Sequence, residues 1–191
     1  MRHPKSVQVR ESRAHENRIA ALVAGRRLPA SGALAWGTFA KGVTAGGDVS
    51  SPTFHIEHKF TRNNKLVVQR EWLQKVSYGA DRVSKFPALV LTFVTDQVDN
   101  VVHQSAIDKL FIPEGVTGKV CHRLAPPWNA FQEAQTRIPT IETDAASTQI
   151  SKDAGIIRYV FSFSDVVGRV QTMAWFLVPF QIWIPALRGE A

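Results

Sequence analysis

The stretch that decides the fold is residues 47–60, which read GDVSSPTFHIEHKF. Its second half predicts a β-strand, because polar and apolar residues alternate and successive strand side chains point to opposite faces of a sheet. Glu57 and Lys59 are then neighbours on one face, separated along the strand by roughly 7 Å. The opposite face points into a core and carries Phe54, Ile56 and Phe60.

The first half of the stretch predicts a turn at Ser50-Ser51-Pro52, and an antiparallel hairpin would return Asp48 to a position beside Glu57. These two carboxylates, with the main-chain carbonyl of His58, would supply the oxygen ligands that Mg²⁺ prefers. A bound metal lowers the pKa of its water and neutralises charge on a phosphodiester, and Lys59 would orient that water or stabilise that charge. The same residues could instead be solvent-facing charges of an edge strand, and the spacing alone does not decide between the two interpretations.

Composition and charge favour a globular protein that contacts a polyanion. The chain has 191 residues, 45% hydrophobic and 20% charged, which predicts one domain with a sizeable core. Its net charge of +7 is uneven: residues 1–95 contain 15 Lys and Arg against 6 Asp and Glu, and residues 96–191 contain 8 against 10. A basic surface attracts nucleic acid by releasing counterions, although a merely basic soluble surface would have the same composition.

Cysteine usage and hydropathy bear on the compartment. Cys121 is the single cysteine, so a disulfide framework is excluded and a reducing compartment is expected. Residues 1–13 are too polar for a signal peptide. The apolar run at residues 173–187 falls short of the roughly 20 residues that span a bilayer. These features predict no membrane anchor and a cytoplasmic location.

Two helices and a buried strand are expected around the hairpin. Residues 6–24 predict a helix whose packed stripe contains Glu16, and Gly25 ends it. Residues 68–84 predict a second helix, with an apolar stripe of Val68, Trp72, Val76 and Val83. Residues 87–94 are continuously apolar, as in a strand that is buried on both faces. The order helix, hairpin, helix, strand predicts a mixed α/β fold.

Taken in order, Glu16, the segment Arg27-Leu28-Pro29-Ala30-Ser31-Gly32, Asp48, Glu57-His58-Lys59 and the Trp72-Leu73-Gln74-Lys75 helix resemble the PD-(D/E)xK nuclease superfamily. Within it the chain is most similar to archaeal-type and phage-encoded Holliday junction resolvases. The resemblance covers about residues 10–95. It departs at Gly47, where the superfamily's name has Pro, and the segment between Gly32 and Asp48 is longer than expected for the family. The resemblance to archaeal-type and phage-encoded enzymes implies a prokaryotic or phage-infected cell.

The resemblance implies a restriction-endonuclease-like core, with a central mixed sheet flanked by helices, and a Mg²⁺-dependent endonuclease for which Mn²⁺ would substitute. Asp48, Glu57 and Glu16 match its metal ligands, and Lys59 matches its catalytic lysine. The implied partner is DNA, branched or four-way in form, bound by a homodimer. The residues expected to contact DNA are Arg26, Arg27, Ser31, Lys41, Arg62, Lys65 and Lys75.

Other functions and arrangements remain open at this point. Nicking, restriction-like or exonucleolytic cleavage would use the same site, and a non-catalytic DNA-binding module could keep the same fold. We predict one domain over residues 1–191, with a core at about 6–95 and 156–185 and an irregular insertion at about 96–155. No zinc site is expected, because His55 and His58 lie on opposite faces of the predicted strand. Trp175, Phe176, Phe180 and Trp183 are expected in the core or a subunit interface.

Overall fold

The structure is a computed structural model that describes residues 4–28, 47–94, 106–115, 137–164 and 167–189. Most of these residues form three α-helices and ten β-strands. The helices are α1 (Pro4–Leu22), α2 (Arg70–Arg82) and α3 (Ile184–Arg188), the last preceded by a 3-10 turn at Gln181–Trp183. The strands are β1 (Arg26–Arg27), β2 (Val49–Ser50), β3 (Phe54–Thr61), β4 (Lys65–Gln69), β5 (Phe86–Val94), β6 (Ala106–Pro113), β7 (Thr140–Thr143), β8 (Ser147–Ser151), β9 (Ile157–Ser164) and β10 (Val170–Pro179).

Eight strands form one mixed sheet in the order β1-β2-β3-β5-β6-β10-β9-β7. Strands β3 and β5 are parallel, as are β7 and β9, and the other neighbours are antiparallel. The parallel β3–β5 pair needs a crossover, and α2 supplies it between the two strands. The mixed α/β architecture predicted from the sequence is therefore present, with the candidate site strands β2 and β3 near one edge of the sheet.

Two hydrophobic clusters cover the two faces of this sheet. On the first face, Ile19 and Val23 of α1 pack against inward side chains of the central strands, including Ile56, Val90 and Ile112. On the second face, Leu73 and Val76 of α2 join a cluster with Leu89, Leu91, Phe93, Phe111, Phe161 and Trp175. Consecutive residues of β5 alternate between the clusters, which explains why its sequence is apolar at every position except Thr92.

A buried polar chain ties α1 to three strands. Arg18 donates two hydrogen bonds of 2.7 Å to the carboxylate of Asp108 on β6. The hydroxyl of Thr92 on β5 donates to the same carboxylate at 2.7 Å, and Nε2 of His58 on β3 lies 2.9 Å from that hydroxyl. Because Thr92 uses its single proton on Asp108, it accepts from His58, which places a proton on Nε2; in the neutral form of the imidazole, Nδ1 is then unprotonated. Burial, reinforced by the charge of nearby His15, lowers the pKa of His58 to about 3, which agrees with that neutral form.

A second, two-stranded sheet supports the start of α2. Strand β4 pairs antiparallel with β8, so Val68 lies opposite Thr148. The predicted helix start at residue 68 is therefore wrong, because Val68 is fully buried in β4 and the helix begins at Arg70. The main-chain N–H of Arg70 donates to the carbonyl of Ala146 at 2.8 Å, which joins the helix to the loop before β8.

Residues 96–155, expected as an insertion outside the core, contain strands of the larger sheet. Strand β6 lies between β5 and β10, and its residues Leu110, Phe111 and Ile112 are fully buried. The sequence of β6 is AIDKLFIP, in which Asp108 and Lys109 interrupt the apolar pattern. Because of that interruption, the sequence pattern does not indicate a central strand. The two charged side chains are accommodated there because both have hydrogen-bond partners inside the fold.

The aromatic residues near the C-terminus lie in the core. All four residues that were expected in the core or in a subunit interface are buried within the chain: Trp175, Phe176, Phe180 and Trp183. Among the helices in the described ranges, none combines the length and apolar character needed to cross a bilayer.

Candidate functional site

The predicted hairpin at residues 47–60 is present. Strands β2 and β3 pair antiparallel, with Val49 opposite Ile56 and Ser50 opposite His55. The main-chain N–H of Asp48 donates to the carbonyl of Ile56 at 2.9 Å, so Asp48 is still hydrogen-bonded to β3 just before β2 begins. Its carboxylate lies close enough to Glu57 for its negative charge to raise the pKa of that residue.

Asp48 is held in place from several directions. Its Oδ2 accepts a 2.8 Å hydrogen bond from the main-chain N–H of His58, and its own carbonyl accepts one of 2.8 Å from Leu28. The preceding residue, Gly47, packs directly on the ring of His55, because a Cβ atom at this position would lie 2.4 Å from His55 Nε2. The glycine is thus required by the histidine beneath it, and Asp48 is a buried carboxylate at a fixed position.

Glu57 and Lys59 meet on the second face of the sheet, as the strand pattern predicts. The Lys59 Nζ lies 2.6 Å from Glu57 Oε1, with the Glu57 side chain 6% exposed and that of Lys59 29% exposed. The same Nζ lies 5.2 Å from the centroid of the Trp72 ring on α2. The ammonium group is therefore held between a carboxylate and an aromatic face.

The pKa of Glu57 is affected by burial and by three neighbouring charges. Burial raises the pKa of Glu57 above its ordinary value, the charge of Asp48 raises it further, and the charges of Lys59 and Lys75 oppose the rise. Two carboxylates thus share a poorly solvated site in which like charges repel each other. A cation placed between Asp48 and Glu57 would remove that repulsion.

Asp48→Asn should stabilise the protein in the absence of divalent cations. The raised pKa of Glu57 means that its protonated form is favoured by folding, so its contribution to stability is present below the unfolded value and lost as the pH rises through the folded value. Removing the Asp48 charge lowers the pKa of Glu57 towards its ordinary value and should raise the free energy of unfolding at pH 7 by roughly 1 kcal/mol. Urea denaturation in a chelator at pH 7 and pH 4 measures this effect. The gain should shrink at pH 4, and an equal gain at both values would contradict the electrostatic explanation.

Glu16 has different partners. Its carboxylate accepts a 2.9 Å hydrogen bond from Ser12 on the same helix and lies 3.4 Å from the guanidinium of Arg27. Across the residues that the structure describes, no three His, Cys, Asp or Glu side chains are grouped so as to hold a metal. The structure brings Asp48 and Glu57 together, and it does not gather Glu16 with them into a cluster of three carboxylates.

The main chain of His58 lies beside Asp48, whereas its side chain points away. The N–H and the C=O of one strand residue face the same strand edge, and the N–H of His58 faces Asp48. The carbonyl predicted as a metal ligand therefore lies on the Asp48 side of β3. The imidazole lies in the polar chain on the opposite face of the sheet.

The residues expected to contact DNA are spread over several elements. Lys75 is exposed on α2, and its charge acts on Glu57. Lys65 is exposed at the start of β4, and Arg62 precedes that strand and pairs with Glu11. Arg26 is exposed on β1, next to Arg27. Ser31 and Lys41 lie outside the described residues.

Sequence reasoning missed the polar chain and the contact of Trp72 with Lys59. Thr92 is a polar residue in the otherwise apolar strand β5, and Asp108 interrupts β6 in the same way. A polar residue within a buried strand signals an internal partner, although it does not identify that partner. Trp72 was assigned to an apolar stripe, and only the helix position shows that its ring faces an ammonium group.

Comparisons of the chain with protein-family models, with curated proteins and with solved structures found no match. A function for this chain has to be argued from the geometry of Asp48, Glu57 and Lys59.

Proposed function

We propose that this protein is a Mg²⁺-dependent endonuclease that hydrolyses phosphodiester bonds in branched DNA. One observation carries the proposal: the Asp48 carboxylate is bound to the N–H of His58 and acts on the adjacent Glu57, and Glu57 lies 2.6 Å from the ammonium group of Lys59. This combination is the acidic pair and lysine that the resemblance to the PD-(D/E)xK superfamily implies. The order of α1, the β2–β3 hairpin, α2 and the parallel strand β5 supports a restriction-endonuclease-like core as part of the same proposal.

The side chains at this site suit Mg²⁺. The donors are carboxylate oxygens of Asp48 and Glu57 together with a main-chain carbonyl at His58, and hard oxygen donors are what Mg²⁺ and Mn²⁺ prefer. The pKa of Glu57 is raised first by burial and second by the charge of Asp48, and this second cause is a negative charge that a divalent cation would neutralise. When bound, the metal would supply a water of lowered pKa and neutralise charge on the phosphate.

The chain's own residues would do the positioning. Asp48 keeps one carboxylate oxygen fixed by the N–H of His58, so its second oxygen has a defined direction. Glu57 would act as a ligand in its ionised form, and a carboxylate that shares its charge with a metal would hold Lys59 less strongly. The Lys59 ammonium, which is partly exposed, would hold a non-bridging phosphate oxygen or orient the attacking water.

DNA as the substrate is supported by charge. The part of the chain that contains Asp48, Glu57 and Lys59 has the excess of basic residues, and exposed Lys75 lies close enough to act on Glu57. A phosphate backbone would be attracted to such a surface. The preference for four-way junctions and the homodimer follow from the resemblance, since two sites related by a two-fold axis would produce paired cuts.

The test is a cleavage panel of labelled four-way junction, flap, nicked duplex, linear duplex and single strand, each with Mg²⁺ and with Ca²⁺. We expect Mg²⁺-dependent cleavage that is fastest on the branched substrates. Asp48→Asn, Glu57→Gln and Lys59→Met should each lower the rate at least a hundredfold, the usual scale for loss of a transition-state contact. Asp81→Asn and Lys152→Met are matched controls. Asp81 lies in the last turn of α2 and Lys152 follows β8, so neither belongs to the hairpin or to the first turns of α2. Both variants should cleave at the wild-type rate.

Several results would contradict the proposal. Equal rates in wild type and Asp48→Asn would exclude this site as the catalytic one. Fastest cleavage of linear or single-stranded DNA would assign a restriction-like or exonucleolytic activity instead of junction cleavage. Binding of DNA without any Mg²⁺- or Mn²⁺-dependent cleavage would assign a non-catalytic DNA-binding module.

A further inference from the structure

Trp72 occupies a position from which it can act on the lysine of the proposed site. It lies in the first turn of α2, and its ring packs against the hydrophobic cluster on the second face of the sheet. The Nζ of Lys59 is 5.2 Å from the ring centroid, within the range in which a cation is attracted to an aromatic face. The ammonium therefore has two partners, the ring of Trp72 and the Glu57 carboxylate at 2.6 Å.

The ring is fixed by structure on both sides. The ring packs against the hydrophobic cluster that contains Leu73 and Val76. Two residues earlier in the chain, the main-chain N–H of Arg70 donates to the carbonyl of Ala146. The guanidinium of Arg70 also donates to the carbonyls of Asp144 and Ser162, at 3.2 and 3.3 Å. The start of α2 is thus held by the loop before β8 and by β9, and Trp72 presents its face to Lys59 from a rigid position.

The two partners of Lys59 respond differently to a divalent cation. A carboxylate that ligates a metal shares its negative charge with that metal and attracts an ammonium less. An aromatic ring keeps its attraction, because its quadrupole does not change when the metal arrives. Of the two contacts, the contact with Trp72 is the one that would keep its full strength with Glu57 in a ligand role.

We propose that Trp72 is a positioning residue for Lys59, which would keep the ammonium in place for the phosphate when Glu57 serves as a metal ligand. The inference rests on the proposed function, since it assigns Lys59 its role in phosphodiester hydrolysis. Tryptophan suits this role better than other apolar residues, because its large face gives the strongest cation–π attraction of the aromatic side chains.

The first test does not require activity. Ring currents of Trp72 should shift the NMR signals of the Lys59 ε-methylene protons upfield, and the shift should persist in saturating Mg²⁺. Trp72→Leu should abolish the shift in both states, and Tyr78→Leu on the same helix should leave it unchanged. A wild-type shift that disappears when Mg²⁺ is added would overturn the inference, whatever the protein cleaves.

The second test uses single-turnover cleavage of the substrate that the wild type cuts fastest. Trp72→Leu should lower the maximal rate about tenfold with little change in the half-saturating DNA concentration, and Trp72→Phe should lower it less. In a Lys59→Met background, Trp72→Leu should have no further effect, because its effect acts through the lysine. Thermal melting shows that each variant is folded, and Trp72→Phe keeps the test decisive if the leucine variant is not.

The outcomes separate this inference from the proposed function. Two results would overturn the role of Trp72: a wild-type rate in Trp72→Leu, or a loss on adding Trp72→Leu to Lys59→Met that equals its loss in the wild type. The rate of Asp48→Asn would still test the proposed nuclease activity independently. A weaker apparent affinity at an unchanged maximal rate would make Trp72 a DNA contact and not a positioning residue. Loss of activity in Tyr78→Leu equal to that in Trp72→Leu would also contradict it, since Tyr78 pairs with Arg82 and not with Lys59.

Discussion

Arg18→Ala is expected to lower the free energy of unfolding by about 3 to 5 kcal/mol, the usual cost of leaving one member of a buried ion pair without its partner. Arg18 and Asp108 form a two-point hydrogen-bonded pair at 2.7 Å, and the Asp108 side chain is 1% exposed. Removing the guanidinium leaves that carboxylate buried, with the Thr92 hydroxyl as its remaining side-chain donor within the described part of the chain. Urea denaturation monitored by tryptophan fluorescence measures the change.

The reverse substitution, Asp108→Ala, should cost less. The group left without its partner is then Arg18, whose side chain is 36% exposed and can reach solvent. The double variant should be less destabilised than the sum of the two single variants, because each alone leaves an unpaired charge. Equal costs for the two single variants, or a loss below 1 kcal/mol for Arg18→Ala, would contradict the buried-pair explanation.

Gly47→Ala is expected to destabilise the protein by about 1 to 3 kcal/mol and to displace the adjacent Asp48. The added Cβ would lie 2.4 Å from Nε2 and 2.5 Å from Cε1 of the His55 ring, closer than atoms can approach. His55 is itself fully packed, at 1% exposed, so the main chain has to move. Because Asp48 is the next residue, the shift should weaken divalent-cation binding as well as stability. Denaturation and metal titration measure the two effects separately.

Two variants control this prediction. Gly155→Ala places its Cβ in open space and should change stability by less than about 0.5 kcal/mol. Combining Gly47→Ala with His55→Ala removes the clash, so the pair should be less destabilised than the sum of its parts. Strict additivity of the two, or Gly47→Ala with wild-type metal affinity, would show that His55 does not set the position of Asp48.

Local patterns predicted the part of the fold that surrounds the site. The alternation in residues 54–60 specified β3, and the turn residues before it specified the hairpin, because both signals come from neighbouring positions in the chain. The packed stripe of α1 and the continuous apolar run of β5 were visible for the same reason. These elements bring Asp48, Glu57 and Lys59 together.

Long-range pairings were not visible. Strand β6 was concealed because Asp108 interrupts its apolar pattern, and the partner that makes this charge acceptable lies 90 residues earlier, at Arg18. Val68 matched a helical stripe as well as a strand, and the pairing of β4 with the distant β8 decided between them. The contact of Trp72 likewise depends on a residue of another element, Lys59 on β3. Such partners depend on tertiary packing, which no local period encodes.

Calorimetric titration of Mn²⁺ and Mg²⁺ into the wild type, Asp48→Asn and Glu57→Gln at pH 7.5 tests most directly whether Asp48 and Glu57 share a divalent cation. We predict saturable binding to the wild type at millimolar metal or below, and its loss in both variants. Binding should also weaken as the pH falls towards the raised pKa of Glu57, since that residue must be ionised to act as a ligand. Absence of metal-dependent heat in the wild type, or unchanged binding in both variants, would contradict a metal centre at this hairpin.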